Sequence, residues 1–351
     1  MWIENPIFRE DMEQIIHSRF IPWDRLDGKT IFITGATGLI GYYLVSALMY
    51  KMLKDNIRIQ VLALVRNEKK ARDKFEEQIR NFPENLKFLS GNLEHFPEIK
   101  ENVDLIIHAG GPTASRFFAE NPVETINISI EGMRNILNMA REKHIAGMVY
   151  LSSMEIYGVR QEDDKIKENA PGYINTMAAR NSYPESKRLC ESLAAAYFSE
   201  YKVPVNVLRL TQTFGPGVAR NDQRVFAQFM RAAAQKTDIV LLTEGKTKRS
   251  YLYLADAVTA ILVLLLSDRW GEAYNAANEQ TYCTIREMAD LIAREIAGGK
   301  VQVRIQEADA KQLTIFLPTA HTNLDTQKLR ALGWSCKTDL KTMFQKTMAC
   351  W

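Results

Sequence analysis

Tyr183 and Lys187 stand four residues apart in the segment Tyr183-Pro184-Glu185-Ser186-Lys187, so a helix beginning there sets both side chains on one face. An ammonium beside a phenol stabilises the phenolate, which lets the tyrosine exchange a proton with a substrate hydroxyl while a hydride moves to or from the carbon that bears it. Ser153 lies in Leu151-Ser152-Ser153-Met154-Glu155-Ile156-Tyr157-Gly158, at the carboxyl end of an expected strand, where its hydroxyl can bond the same substrate group. Tyrosine and lysine at this spacing are common on surface helices, and their weight here comes from a second motif upstream. Thr34-Gly35-Ala36-Thr37-Gly38-Leu39-Ile40-Gly41 lies between an expected strand and an expected helix. Glycines there let the backbone turn tightly and approach a pyrophosphate, and the helix amino terminus offers unpaired N–H donors and a positive dipole.

At the end of the second expected strand, where an acidic side chain would hold the adenosine ribose of NAD, the sequence has Val65-Arg66-Asn67. Arg66 reads either as a partner for a 2′-phosphate or as a solvated loop residue; NAD is the expected cofactor and NADP stays open. No metal is expected. His17, His95, His108, His144 and His321 have no ligand spacing, and Cys190, Cys283, Cys336 and Cys350 form no C-x-x-C pair, so reduced thiols are the default.

These side chains need a scaffold, and the hydrophobic pattern supplies one. Strands are expected at residues 30–34, 57–65, 86–89, 103–108, 147–152 and 205–210, alternating with helices at 39–53, 69–82, 126–143 and 184–201. Such alternation requires right-handed crossovers, giving an α/β, Rossmann-type doubly wound parallel sheet with a smaller C-terminal substrate domain. The dinucleotide-binding domain is expected at residues 1–210 with a return segment near 250–276, and the substrate-binding domain at 211–249 and 277–351. The 351 residues are 46% hydrophobic, enough for a large core. A net charge of +3, from 45 basic and 42 acidic residues, provides no strong field for nucleic acid or a membrane surface. Glu4, Glu10, Asp11 and Glu13 near the start are unlike a secretory leader, so a cytoplasmic location is expected. The longest apolar run, residues 260–266, is far short of a membrane span and reads as a buried helix.

With these motifs in this order, the chain resembles the extended short-chain dehydrogenase/reductase family, the NAD-dependent epimerases and dehydratases, over nearly its whole length. The resemblance is carried by Gly35 to Gly41, Asn92-Leu93, His108-Ala109-Gly110, Ser152 to Gly158, Tyr183 with Lys187, and Phe214-Gly215-Pro216-Gly217. It implies that Ser153, Tyr183 and Lys187 are catalytic. It also implies that Gly35, Thr37, Gly38, Leu39, Ile40, Gly41, Arg66, Asn92, Leu93, Ala109, Gly110 and Gly111, with Tyr183 and Lys187, hold the dinucleotide.

Within that family, Arg180-Asn181-Ser182-Tyr183-Pro184-Glu185-Ser186-Lys187-Arg188 is similar to the tyrosine segment of UDP-glucuronate decarboxylases. The segments 213–225 and 249–256 agree with that branch. Glu155 falls on a glutamate shared by decarboxylases and 4,6-dehydratases, which the resemblance makes a fourth catalytic residue. Met154 stands where dTDP-glucose dehydratases carry an aspartate. Arg224 and Arg249 are implied clamps for a diphosphate or a uronic carboxylate, with Thr113, Gln212, Val225 and Tyr251 completing the substrate set. The implied function is modification of a nucleotide sugar through a transient 4-keto intermediate. Decarboxylation comes first; 4-epimerisation, 4,6-dehydration, NADPH-dependent reduction of a keto sugar, and a non-enzymatic nucleotide sensor are the alternatives. The resemblance also implies a homodimer paired through helices 126–143 and 184–201.

Overall fold

The computed structural model describes residues 3–306 and 319–351. Fourteen strands are named in chain order: β1 (Lys29–Thr34), β2 (Ile59–Val65), β3 (Leu86–Ser90), β4 (Leu105–His108), β5 (Gly147–Ser153), β6 (Lys165–Ile166) and β7 (Val205–Leu210), then β8 (Gln212–Phe214), β9 (Ile239–Leu241), β10 (Lys248–Tyr253), β11 (Ala273–Ala276), β12 (Asn278–Thr284), β13 (Val303–Ile305) and β14 (His321–Leu324). Seven of them form the main sheet in the order β11-β7-β5-β4-β1-β2-β3. Every neighbouring pair in it is parallel.

Parallel strands need both faces covered, which is why their residues are apolar without alternation. Ile31, Phe32 and Ile33 are all fully buried. Ile31 and Ile33 pack with helices α1 (Pro6–Ile16) and α2 (Leu39–Lys54), whereas Phe32 faces the opposite layer. Further along the chain come α3 (Glu68–Lys74), α4 (Glu76–Asn81), α5 (Ser115–Glu120), α6 (Pro122–Glu142), α7 (Ser182–Tyr201), α8 (Val225–Gln235) and α9 (Leu254–Leu265). Met133, Ile136 and Leu137 of α6, with Cys190 and Ala194 of α7, build that opposite layer. Helix α9 contains most of the long apolar run and is buried along its entire length. No helix among the described residues is long and apolar enough to cross a membrane.

The chain builds outward from β1 through β2 to β3, then returns to the other side of β1 for β4. That reversal splits the loops beyond the carboxyl ends of β1 and β4 and opens the crevice in which sheets of this type bind ligands. Thr34 pairs with His108, and His108 with Tyr150, so the ends of β1, β4 and β5 line one level of the crevice. A second sheet, β12-β10-β14-β6 with β8 also on β10, is built largely from the chain beyond β7. The expected substrate segment 277–351 includes residues 307–318, which lie outside the described residues.

Several boundaries differ from the hydrophobic pattern, each for a local reason. The single helix expected at 69–82 is two, α3 and α4, because the chain turns at Phe75 (φ −105°, ψ 22°) to bury that ring completely. The third-layer helix expected from residue 126 begins at Pro122, whose fixed φ and missing N–H suit a first turn. The helix expected from 184 begins at Ser182, which brings Tyr183 itself into the first turn. The strand expected from 57 begins at Ile59, since the Ile57 N–H is taken by Asp55 O in a turn. The strand expected from 103 begins at Leu105.

Candidate active site

The glycine turn leaves β1 and enters α2. Gly35 has φ +71°, and a Cβ there would lie 2.6 Å from Ala109 O. At Gly41 a Cβ would meet Gly35 O at 2.2 Å. Gly38, the N-cap of α2, has an ordinary extended backbone, and a Cβ there would approach Gly35 O only to 3.1 Å. No side chain caps α2, so the first-turn N–H groups at Leu39, Ile40 and Gly41 face outward from a bare backbone edge. This bare positive terminus beside side-chain-free glycines fits the pyrophosphate of a dinucleotide.

Thr34 Oγ1 accepts the Gly110 N–H at 2.9 Å and lies 2.7 Å from His108 Nδ1. Burial, reinforced by the charge of Lys187, lowers the His108 pKa to about 3, so the ring is neutral and joins β1 to β4 rather than titrating. Thr37 O accepts a 2.8 Å bond from Lys74 Nζ, which fixes the outer rim of the turn. Arg66 is exposed just past β2, with no ion pair among the described residues. Asn92 Oδ1 accepts from the Glu94 and His95 N–H groups, which shapes its own loop. Leu93 packs on Gly132 of α6. Gly111 (φ +151°) and exposed Thr113 lie in the loop between β4 and α5, after Ala109 and Gly110.

Tyr183 occupies the first turn of α7, 8% exposed, stacked on Phe118 of α5 with ring centroids 4.9 Å apart. Lys187, one turn on, is buried. Its Nζ donates to Leu151 O at 2.8 Å and lies 4.6 Å from the Tyr150 ring centroid and 5.8 Å from that of Tyr183. Burial brings the Lys187 pKa down to about 8, against the opposing pull of Cys190 and Glu191. Burial and then the Glu155 charge hold the Tyr183 phenol well above its usual value, while a hydrogen bond to Ser153 draws it back. Ser153 Oγ also accepts the Glu155 N–H at 3.2 Å and so caps the one-turn helix Met154–Tyr157.

Glu155 is solvent-accessible on one side and crowded by protein on the others. That crowding raises its pKa, while Arg249 and Arg180 pull it back. The Arg249 Nε is buried with no hydrogen-bond partner among the described residues. Arg180 is exposed, on the short turn Ala179–Asn181 that leads into α7. The charges of Arg249 and Arg180 thus reach the Glu155 carboxylate, whose own charge reaches the Tyr183 phenol, without an ion pair between them among the described residues.

The other expected substrate residues are arranged less simply. Arg224 caps α8, but its guanidinium is held 2.6 Å from the Asp222 carboxylate and over the Phe226 ring, so an incoming anion must share it. Val225 opens α8 and is exposed. Gln212 pairs with Tyr251 across β8 and β10. Tyr251 differs from expectation: it is fully buried and packs edge-on to Phe214, its ring centroid 6.0 Å away. A ring with no accessible surface offers a substrate nothing direct. Phe118, which stacks on Tyr183, gave no signal in the sequence, being one of several apolar residues in a short helix. No cluster of metal-ligating side chains occurs among the described residues.

The crevice, the bare helix terminus and the Ser153, Tyr183 and Lys187 group define an NAD-dependent enzyme that acts on nucleotide sugars, the class to which similar proteins belong. Residues 31–277 match the family model described as the NAD dependent epimerase/dehydratase family, and the chain belongs to that family. UDP-glucuronic acid decarboxylase 1 of Xenopus tropicalis is 27% identical over 324 residues, covering 92% of this chain and 72% of the relative. The dTDP-D-glucose 4,6-dehydratase of Homo sapiens is 23% identical, covering 93% of this chain and 91% of its own. In fold, the UDP-N-acetylglucosamine 4-epimerase from Methanobrevibacter ruminantium M1 superposes with a TM-score of 0.77 at 18% identity, over 92% of this chain and 98% of that one.

Proposed function

We propose that the protein decarboxylates a nucleoside-diphosphate hexuronate through a transient 4-keto sugar. The observation that carries this reading is Glu155 on the one-turn helix after β5, capped by Ser153, within the electrostatic reach of Arg249, Arg180 and Tyr183. Gly35, Gly38, Gly41 and the amino terminus of α2 would hold NAD, and the sugar would be held by the described residues of the segments 211–249 and 277–351. When bound, NAD would supply the hydride acceptor for C4 and return the hydride at the end of the cycle.

Tyr183 Oη takes the proton of the C4 hydroxyl, Ser153 Oγ orients that hydroxyl, and the Lys187 ammonium stabilises the phenolate. Arg249, with its spare buried N–H, receives the uronate carboxylate. Once C4 is a ketone, the C5–C6 bond can break with its electron pair delocalised into the carbonyl, releasing carbon dioxide. Glu155, its proton affinity raised by crowding, delivers a proton to C5. Tyr183 finally returns its proton to the C4 oxygen.

The test is incubation with UDP-glucuronate, UDP-glucose, dTDP-glucose and UDP-N-acetylglucosamine, followed by mass spectrometry. Loss of carbon dioxide from UDP-glucuronate is expected, and Glu155→Gln should lower its rate about 10²-fold. Loss of water, or a product of unchanged mass, overturns decarboxylation in favour of dehydration or epimerisation. The exposed, unpaired Arg66 supports a second reading, reduction of a keto sugar by NADPH, which predicts stoichiometric NADPH consumption instead of a redox-neutral cycle.

The reading includes a homodimer. Val123 and Ile126 of α6 and Leu189 of α7 are 70%, 39% and 46% exposed, an apolar face suited to the same two helices of a second copy. Sedimentation at micromolar concentration should give a dimer, and Ile126→Glu with Leu189→Glu should shift it to monomer.

A further inference from the structure

Behind the catalytic set lies an ion pair that the chemistry above does not use. Glu191 is one turn beyond Lys187 on α7, and Arg209 is near the carboxyl end of β7; their side chains are only 12% and 11% exposed. Glu191 Oε2 accepts from Arg209 Nη2 at 2.6 Å and Oε1 from Arg209 Nε at 3.1 Å. The same Oε1 accepts the Ser152 hydroxyl at 2.5 Å. On its far side, Arg209 Nη1 donates to the Tyr157 hydroxyl at 2.8 Å and to Glu168 O at 2.6 Å, and Tyr157 in turn donates to Asn275 Oδ1 at 2.7 Å.

Three of the residues in this network adjoin the proposed catalytic set. Ser152 precedes Ser153. Tyr157 closes the one-turn helix that carries Glu155. Glu191 rides on the helix that carries Tyr183 and Lys187. We propose that the Glu191–Arg209 pair is a positioning device that holds the β5 turn, with Ser153 and Glu155, in register with the α7 face bearing Tyr183 and Lys187.

Two physical points favour positioning over simple stabilisation. A largely buried ion pair recovers little net free energy after desolvation, and apolar replacement is often neutral, so stability alone does not account for it. The pair also borders a solvent-open groove of about 370 Å³, lined by Ile156, Glu168, Arg188, Glu191 and Arg209 among others, so it is not sealed within the core. What the pair does supply is direction: a planar guanidinium and a carboxylate fix each other along two parallel bonds, and their remaining bonds fix Ser152 and Tyr157. Its charge also reaches Lys187, whose ammonium is faced by Cys190 and Glu191 of α7, Tyr150 of β5, His108 of β4 and the Tyr183 ring.

The proposal rests on the catalytic set assigned above, so its test carries Tyr183→Phe as a reference. In Glu191→Gln, which is isosteric, kcat on the nucleotide sugar turned over in the panel should fall at least about tenfold, with KM and the NAD dissociation constant within about twofold. The Lys187 pKa, read from the pH dependence of its competitive acylation and needing no substrate, should fall by about one unit. Glu191→Asp, which keeps the charge and moves the carboxylate, should retain the Lys187 pKa yet lose kcat. Should Glu191→Gln not fold, Arg209→Lys, which keeps a cation and removes the fork, carries the same kcat and KM test. A Glu191→Gln enzyme with wild-type kcat and an unmoved Lys187 pKa, alongside inactive Tyr183→Phe, overturns the positioning role alone. Turnover surviving in Tyr183→Phe overturns the catalytic assignment itself.

Discussion

Replacing Tyr183 with phenylalanine is expected to lower turnover by about 10²–10⁴-fold while leaving NAD binding intact. The ring can keep its stack on Phe118, 4.9 Å away, and the turn that holds the pyrophosphate is built elsewhere, from β1 and α2. Only the hydroxyl is lost, together with its hydrogen bond to Ser153. Lys187→Met should be comparably inactive, because a buried phenolate then loses the ammonium that lies 5.8 Å from the centre of its ring. The pH dependence separates the two residues. Burial brings the Lys187 pKa to about 8, so its ammonium is present below that pH and disappears as pH rises through it. The rate in wild type should therefore decline above about pH 8, whereas the residual activity of Lys187→Met should show no such decline. Single-turnover rates measured by mass spectrometry from pH 6 to 9.5, with NAD binding followed in parallel, would decide it. A Tyr183→Phe protein that binds NAD normally and keeps wild-type turnover excludes the phenol as the proton-transfer group.

The features legible from sequence are those whose residues are close in the chain. Gly35, Gly38 and Gly41 belong to one turn, and Tyr183 and Lys187 to one helical face, so spacing was enough to bring each group together. The parallel sheet was legible because strands buried on both faces must be continuously apolar, as Ile31, Phe32 and Ile33 are. What escaped depends on residues that meet only in three dimensions. Glu155 and Arg249 come from different elements, a one-turn helix and β10, and motif resemblance named each without pairing them. Arg224 matched a ligand motif, yet its nearest anion is Asp222, two residues away, a local competition that a motif does not weigh. Tyr251 sits in a matching segment, but its ring is packed against Phe214 and wholly buried. Glu191 and Arg209 gave no signal, since a charged residue on a helix or a strand ordinarily points to solvent. Phe75 divides a helix whose charges looked continuous: its ring is wholly buried and its backbone leaves helical geometry, while the Phe75 and Ile79 N–H groups keep their bonds to Ala71 O and Phe75 O.

The glycine turn supports a graded prediction in which folding and cofactor binding come apart. Gly41→Ala places a Cβ 2.2 Å from Gly35 O and 2.7 Å from Ala36 Cα, both backbone atoms that cannot swing aside. Gly35→Ala combines a 2.6 Å approach to Ala109 O with φ +71°, a conformation that L side chains rarely adopt. Each should lower stability by about 1–3 kcal/mol, the usual cost of forcing an atom into a filled site, and abolish NAD binding with it. Gly38→Ala is different in kind. Its backbone is ordinarily extended, at φ −71° and ψ 176°, and the nearest atom, Gly35 O, is 3.1 Å from the added carbon, a contact that a few tenths of an ångström relieve. The chain should fold almost as stably as wild type, while the methyl group occupies the edge the pyrophosphate must approach. Thermal unfolding with and without NAD reads both effects at once. Saturation at about a hundred times the dissociation constant should stabilise wild type by about 2.7 kcal/mol. In Gly38→Ala the ligand-free transition should hardly move and the NAD-induced increment should largely vanish; in Gly41→Ala the ligand-free transition itself should fall. An unchanged NAD increment in Gly38→Ala would mean that the dinucleotide does not lie across this turn.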